Sequence, residues 1–252
     1  MKEAFLSVFL MLVLISFAYS EEITIVTENW IPYNYEENGK VIGISTEIVQ
    51  ATLQKAGIKS SIQVYPWARA YNMALNFENV LIYSIYRSKE REELFKWVAP
   101  ITKPIRAYLF KLKKRTDIIP IKSIDDAKLY RTGVMRNDDS HNYLLSNEFK
   151  NGVNIDVVTS EEQNVKKLFA GRVDFVIQSE LSFLIRLKKL GYSINDVEKA
   201  YLIYAGSGEG SYMAFSKKTS DETVKKVIKA FKELNSEGLI ENAYKKYRER
   251  LK

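Results

Sequence analysis

Short β-branched and aromatic runs alternate along this chain with runs of helical period, and the alternation starts twice. Ile23–Thr27, reading ITIVT, has the composition of a strand. Residues 29–39, with Pro32 and Gly39 among polar and aromatic residues, read as loop and turn. A helix follows, with Ser45 or Thr46 as its cap, Ile48, Val49 and Leu53 at helical spacing, and Gly57 as its stop. A strand at 62–65, a helix at 67–77 and a strand at 80–85 complete a βαβαβ series. Such a series predicts an α/β unit with a mainly parallel sheet. The pattern then restarts with a strand at 105–112 and a loop into a short helix at 120–127. Strands at Thr132–Met135, Ile155–Val158 and 173–177 alternate with helices near 140–145, over 160–170 and over 181–190. Ser160 and Gln163 have capping-box spacing, and Gly191 closes the 181–190 helix. Strands at 201–205 and 211–215 flank the glycine-rich break 206–210. Asp221 caps a last amphipathic helix at 223–234, and 239–247 is a further helix candidate.

The expected fold is therefore α/β with two lobes joined by two extended crossovers. Residues 21–106 plus 208–252 form lobe 1, and 107–207 form lobe 2. Ligand sites favour such interfaces and the carboxyl ends of parallel strands.

Residues 1–20 read as an address. The apolar run 4–17 is shorter than the roughly twenty residues that span a bilayer. Lys2 precedes it, and Ala18 and Ser20 are small residues at −3 and −1 of a cut before Glu21. This is the pattern of a cleaved secretory signal peptide. No cysteine is available to carry a lipid anchor, so a freely diffusing periplasmic protein is expected.

Composition removes whole classes of chemistry. Zero cysteine excludes disulfides, thiolate nucleophiles and thiolate metal sites, and one histidine, His141, excludes any site needing two imidazoles. His141 itself reads as a plain helix residue. The net charge of +7 comes from 38 Lys+Arg against 31 Asp+Glu spread along the chain, without the basic stripe of a nucleic-acid binder. No phosphate loop and no nucleophile elbow occurs. No cofactor, metal or nucleic-acid partner is expected, and the chain is expected to be a monomer.

Chemistry collects after the strands. Glu28 opens a loop carrying Trp30 and Tyr33, an aromatic platform for a small ligand. Trp67 and Arg69 follow the second strand. An arginine in a first helical turn opposes the helix dipole, so Arg69 suggests anion binding. Ser84, Tyr86, Arg87 and Arg91 follow the third strand, and guanidinium grips carboxylates bidentately. In the second lobe Arg136, Asn137, Asp138, Asp139 and Ser140 follow a strand, with Asp138 or Asp139 more simply an N-cap. Gln178, Ser179 and Glu180 again face the expected cleft.

The segments TENWIPYNYEENGKVIG, YPWARAY and SIYRSKEREELFKWVAPI, in this order, resemble bacterial extracellular solute-binding proteins of family 3, the polar amino acid–binding group that feeds ABC transporters. The resemblance covers residues 21–252. It implies the type II periplasmic-binding fold with capture by hinge closure, an ABC permease partner, and a small carboxylate or amino acid ligand. It also implies that Arg91 grips the ligand α-carboxylate, that Trp30 stacks on it, and that Ser84, Tyr86, Trp67 and Arg69 line the pocket. The family's small carboxylate-binding turn falls at 136–140, here the bulky RNDDS. Its ammonium-binding aspartate falls at or beside Ser179, with Glu180 adjacent as a substitute. The alternatives are a dehydratase-like periplasmic enzyme, with Glu28, Asp138 or Glu180 as general acid, and a soluble sensor.

Overall fold

The computed structural model describes residues 23–204 and 210–250. The signal-peptide reading of residues 1–20 and most of the 206–210 break lie outside the described residues.

Two five-stranded sheets organise the chain. The first holds β1 (Ile23–Thr27), β4 (Ser60–Val64), β5 (Val80–Tyr86), β6 (Phe95–Pro100) and β12 (Ser211–Ser216), in the order β4-β1-β5-β12-β6. The second holds β7 (Arg106–Leu112), β8 (Thr132–Met135), β9 (Ile155–Val158), β10 (Phe175–Ser179) and β11 (Val197–Tyr204), in the order β11-β7-β10-β8-β9. A small hairpin, β2 (Tyr35–Glu37) with β3 (Lys40–Ile42), fills part of the segment expected to be only loop. The chain leaves the first sheet after β6 and returns to it at β12.

Both sheets are mixed, which corrects the expectation of mainly parallel sheets. In the first, β1 runs parallel to β4 and β5, whereas β12 is antiparallel to both β5 and β6. In the second, β8 is parallel to β9 and β10, whereas β7 is antiparallel to β10 and β11. The crossovers impose this, because a strand entering from the other sheet need not follow a βαβ turn. Where they meet the first sheet the crossovers are tied together. Ser211 N–H donates to Thr102 Oγ1 at 2.7 Å, and Ile101 N–H donates to the Ser211 carbonyl at 2.8 Å.

The helices are α1 (Ile44–Lys55), α2 (Trp67–Asn76), α3 (Asp139–Ser146), α4 (Glu161–Phe169), α5 (Glu180–Lys189), α6 (Asp221–Ser236) and α7 (Leu239–Arg250). Gly57 ends α1 as expected, at φ 66°, with Ile58 N–H reaching the Leu53 carbonyl and Gly57 N–H the Gln54 carbonyl. This is a Schellman motif. The N-terminal caps differ from expectation at two helices. Gly43, not Ser45 or Thr46, caps α1; both hydroxyl residues are buried inside the helix, and Thr46 Oγ1 lies 2.8 Å from the Tyr83 hydroxyl. Gly43 sits at φ 133°, where a Cβ would lie 2.2 Å from the Tyr33 carbonyl oxygen. Ser220, not Asp221, caps α6, because Asp221 is engaged with Lys96 Nζ at 2.5 Å.

One face of the first sheet packs on α1, α6 and α7 through Ile25, Leu53, Tyr83, Phe215 and Phe231. The opposite face packs on α2 through Val26, Ile82, Trp67 and Ala70, and Met135 and Val158 of the second sheet join that cluster. Apolar contact therefore runs from one sheet to the other beside the site described next.

Candidate functional site

Carboxyl-terminal strand ends and helix starts from both sheets converge on one cavity of about 70 Å³. The first sheet contributes Glu28 and Trp30 after β1, Trp67 at the start of α2, Ser84 and Tyr86 on β5, and Arg91. The second contributes Ala107 of β7, Met135 of β8, Asp138, Asp139 and Ser140 at the start of α3, Glu161 at the start of α4, and Ile177, Gln178 and Ser179 of β10.

Ser84 reaches the cavity through a backbone irregularity. The β5–β12 register shifts so that Ile85 faces Tyr212 and Tyr83 faces Met213, leaving Ser84 as the extra residue at φ 62°. A bulge of this kind re-aims a side chain. The Ser84 hydroxyl is buried and has no hydrogen-bond partner among the described residues.

Arg91 is 1% exposed, the most deeply buried charge of the first wall. Its Nη1 donates to the Tyr86 carbonyl at 3.2 Å, and its Nη2 crosses to the Asn137 carbonyl at 3.1 Å. Asp139 stands 3.9 Å away, and the rings of Trp67 and Tyr71 lie within cation–π range at 5.5 and 5.2 Å. The Arg91 Nε–H, also buried, has no hydrogen-bond partner among the described residues. Trp67 Nε1–H donates to the same Asn137 carbonyl at 2.8 Å. Two donors of one wall thus share one acceptor of the other. Asn137 presents that carbonyl from a left-handed conformation, φ 60°, which asparagine tolerates better than most residues.

The second wall is built from helix N-termini. Asp138 caps α3, its Oδ1 accepting from His141 N–H at 2.7 Å. His141 is buried; its Nδ1 accepts from Asn137 N–H at 3.1 Å and its Nε2 lies 2.9 Å from Asn151 Oδ1. It is a helix residue, as expected, and it also braces the 136–140 turn. Glu161 opens α4, where a carboxylate faces the positive end of the helix dipole. Its Oε2 accepts from Asn164 Nδ2 at 3.1 Å and from Gln178 Nε2, while Gln178 Oε1 accepts from the buried Arg186 at 2.5 Å. Ser179 precedes α5, and its hydroxyl is buried without a hydrogen-bond partner among the described residues.

Four carboxyl groups therefore share a small space with two guanidiniums, Arg91 and Arg186. Burial pushes the Glu28 carboxyl up to about 8, with the Glu161 charge adding to the effect. Burial also holds Asp138 well above the carboxylate range, reinforced by Glu161, and raises Glu161 itself against the pull of Arg186.

The structure brings Glu28, Trp30, Trp67, Ser84, Tyr86, Arg91, Asp138 and Ser179 together. Asn137 joins them through its carbonyl. Tyr33 is buried behind Trp30, ring centroids 4.6 Å apart, and supports it from outside the cavity. Arg69 is exposed, its guanidinium 4.0 Å over the Tyr65 ring, and Arg136 is exposed as well. Glu180 is exposed and pairs with Lys199 at 2.7 Å. None of these last three lines the cavity. Glu161 was not anticipated. As the residue after a capping serine it looks like an ordinary helix-start acid, and only the approach of the other wall makes it part of a site.

The family model for bacterial extracellular solute-binding proteins, family 3, matches residues 23–250. The "Probable amino-acid-binding protein YxeM" of Bacillus subtilis (strain 168) is 24% identical over 86% of this chain and 79% of its own. The L-cystine-binding protein TcyA of the same strain is 26% identical over 85% of this chain and 75% of its own. Among solved structures, an ancestral arginine-binding protein bound to arginine superposes with a TM-score of 0.74 at 20% identity, covering 90% of this chain and 97% of that one. A histidine kinase sensor domain with similarity to periplasmic binding proteins gives 0.75 at 16%, covering 89% and 95%. At these identities the two structures establish the fold.

Proposed function

The chain belongs to the bacterial extracellular solute-binding proteins, family 3, and from that premise we propose that it captures an amino acid or related organic acid between two lobes for delivery to an ABC transporter permease. The family consists of binding proteins, not enzymes. In this reading the mature protein is a periplasmic monomer released by cleavage after residue 20.

One observation carries the reading. Three buried polar atoms, Ser84 Oγ, Arg91 Nε and Ser179 Oγ, have no hydrogen-bond partner among the described residues, and their residues line the same cavity. Leaving one such group unpaired costs about 1–3 kcal/mol, so a site that leaves three is organised for a bound acceptor. A ligand carboxylate satisfies the Arg91 Nε–H and accepts from both hydroxyls. Arg91 then grips one oxygen through Nε while Nη2 holds the opposite wall and Nη1 its own.

The lobe partition this requires assigns 21–106 with 208–252 to lobe 1 and 107–207 to lobe 2. Sheet membership supports it, as does the packing of α6 on β6 and of α7 on α1. Hinge closure is supported by the donors of lobe 1 that meet the Asn137 carbonyl of lobe 2.

Native mass spectrometry of the purified protein, followed by a thermal-shift panel of amino acids and organic acids, tests the reading. A ligand at 100 times its Kd raises stability by about 2.7 kcal/mol. A panel with no shift, and a purified protein carrying no small acid, would reject capture.

A further inference from the structure

We propose that Tyr244 of the C-terminal helix α7 is a positioning residue for lobe closure: its hydroxyl fastens the first crossover at Lys103, so that the lobes pivot at Pro104 and Ile105. The inference rests on the capture reading above, which needs the lobes to move, and it gives a function to a residue outside the cavity.

The first crossover comprises residues 101–105, between β6 and β7. Its first three residues are anchored to the first sheet and to α7. The Ile101 N–H donates to the Ser211 carbonyl, and Thr102 Oγ1 accepts from the Ser211 N–H. Gly210, at φ 93°, presses so closely that a Cβ there would lie 2.4 Å from the Thr102 carbonyl oxygen and 2.8 Å from that of Lys103. The Lys103 N–H donates to the Tyr244 hydroxyl at 3.1 Å. The Lys103 ammonium lies 5.4 Å from the Tyr244 ring centroid and pairs with Glu241 of the same helix at 2.8 Å. The anchoring stops there. Pro104 has no N–H, and the Ile105 N–H donates to none of the described residues. Proline fixes its own φ and holds the residue before it extended. The torsions left to turn are ψ of Pro104 and both dihedrals of Ile105, and hinges are built from a few loop positions of this kind.

The same hydroxyl reaches the aromatic wall of the cleft. Tyr33 and Tyr244 are hydrogen-bonded through their hydroxyls, and the Tyr33 ring backs Trp30 of the cavity at 4.6 Å. Tyr247 lies one turn on, on the same face of α7. Its hydroxyl accepts from the Gly43 N–H at 2.5 Å, and the Ser45 N–H donates to the Tyr33 carbonyl at 2.8 Å. Helix α7 therefore holds the start of the crossover and the aromatic loop as one body. A turn beyond Lys103 carries β7 and lobe 2 with it, while Trp30 keeps its place relative to the fixed end of the hinge. A groove of about 360 Å³ gives that turn room. Tyr33, Pro104 and Ile105 line one side of it, and Ser179, Leu181 and Leu184 of lobe 2 line the other.

Pulsed electron-spin distance measurement on the ligand-free mature protein, with hydrogen exchange read residue by residue, tests this. The chain has no cysteine, so Arg69→Cys with Arg136→Cys puts two spin labels on exposed positions of opposite walls. Tyr244→Phe deletes one hydroxyl and keeps the ring. It is expected to raise the population outside the main distance peak about twofold or more. In the same variant the Lys103 amide is expected to exchange about fivefold or more faster, while the Ile101 amide stays protected. Glu241→Gln breaks only an exposed ion pair and is expected to leave both readings within about twofold. Pro104→Gly loosens the pivot without touching α7, and is expected to broaden the distances with the Lys103 amide still protected. Distances unchanged in Tyr244→Phe overturn its positioning role, and distances unchanged in Pro104→Gly overturn the pivot. If Tyr244→Phe does not fold, the unmutated protein decides: an unprotected Lys103 amide overturns the fastener. No ligand enters the experiment, so its failure leaves capture standing, whereas a thermal-shift panel without a hit removes capture and leaves these distances unaffected.

Discussion

The two walls of the cleft are built on opposite plans. Apart from Glu28, the first wall is aromatic and cationic: Trp30, Trp67, Tyr86 and Arg91 stand on or just after strand ends, braced by ring contacts such as Trp30 with Tyr33 and Tyr86. The second wall is acidic and hydroxylic, and its groups sit at the N-termini of three helices: Asp138 before α3, Glu161 opening α4, and Ser179 before α5. Helix dipoles make that placement tolerable for carboxylates. One wall therefore supplies shape and an anion grip, and the other supplies acceptors that acquire their function when the first wall closes over them and removes water.

The sharpest way to break this comparison is to remove the one cation of the first wall that touches the second. Arg91→Ala is expected to cost about 2–5 kcal/mol of ligand binding, the range for truncating one partner of a buried charged contact. Arg91→Lys is expected to weaken binding too, because the planar fork is lost. Calorimetry on folded variants checks both. Unchanged affinity in Arg91→Ala would remove the anion grip from the first wall.

Asp138 and Glu180 separate the acids of the second wall into those inside and those outside. Asp138→Asn keeps a competent helix cap while removing an ionisable group from the cavity, and is expected to weaken binding of an amino acid by about 1–3 kcal/mol. It should do so more than for the deaminated analogue. Glu180→Gln disturbs only an exposed pair with Lys199 and is expected to change affinity by less than about 0.5 kcal/mol. If Glu180→Gln is the more damaging, the wall has been assigned to the wrong acids.

Titration gives a third lever. Burial raises Glu28 from 4.5 to about 8. Between those values the folded, empty protein holds a proton that the unfolded chain has released. Raising the pH across this window therefore lowers the stability of the empty protein, by at most about 1.4 kcal/mol per pH unit for each such group. Below 4.5 and above about 8 the Glu28 contribution is flat. An amino acid's ammonium favours the ionised carboxylate, so amino acid binding is expected to release protons at pH 7 and to tighten toward pH 8. Melting curves across this range, and calorimetry in buffers of different ionisation enthalpy, report the two signs. A stability rising from pH 5 to 8, with no proton release, would show the acids of both walls to be paired in the empty cleft.

The smallest effect is the most local. Ser84 sits in the left-handed region at φ 62°, a conformation glycine adopts without strain. Ser84→Gly is expected to stabilise the fold by up to about 1 kcal/mol while weakening binding by about 1 kcal/mol for the lost hydroxyl contact. Opposite signs in melting and titration would identify Ser84 as strained for recognition.

Most strands and helices were legible because their signals are local. Ile23–Thr27 needs only its β-branched run, and α1 stops at Gly57 because a left-handed C-cap is cheapest for glycine. The misses share a cause. β6, with Lys96 and Pro100, and the start of β11, with Glu198 and Lys199, lie at sheet edges, where charge and proline are tolerated and the alternation is blurred. Ser45 and Thr46 look like caps, but the cap falls two residues before Ser45 because Gly43 alone can approach the Tyr33 carbonyl.

For the site, the sequence by itself determined the first wall and the family, because Trp30, Trp67, Ser84, Tyr86 and Arg91 lie within local motifs whose order is informative. It could not determine which acids of the second wall count. Glu180 and Glu161 are both helix-start glutamates. One faces solvent and Lys199, and the other lines the same cavity as Glu28 of the opposite wall. Only the tertiary structure decides between them, because burial and the approach of a distant wall, not local spacing, turn a surface carboxylate into a binding group.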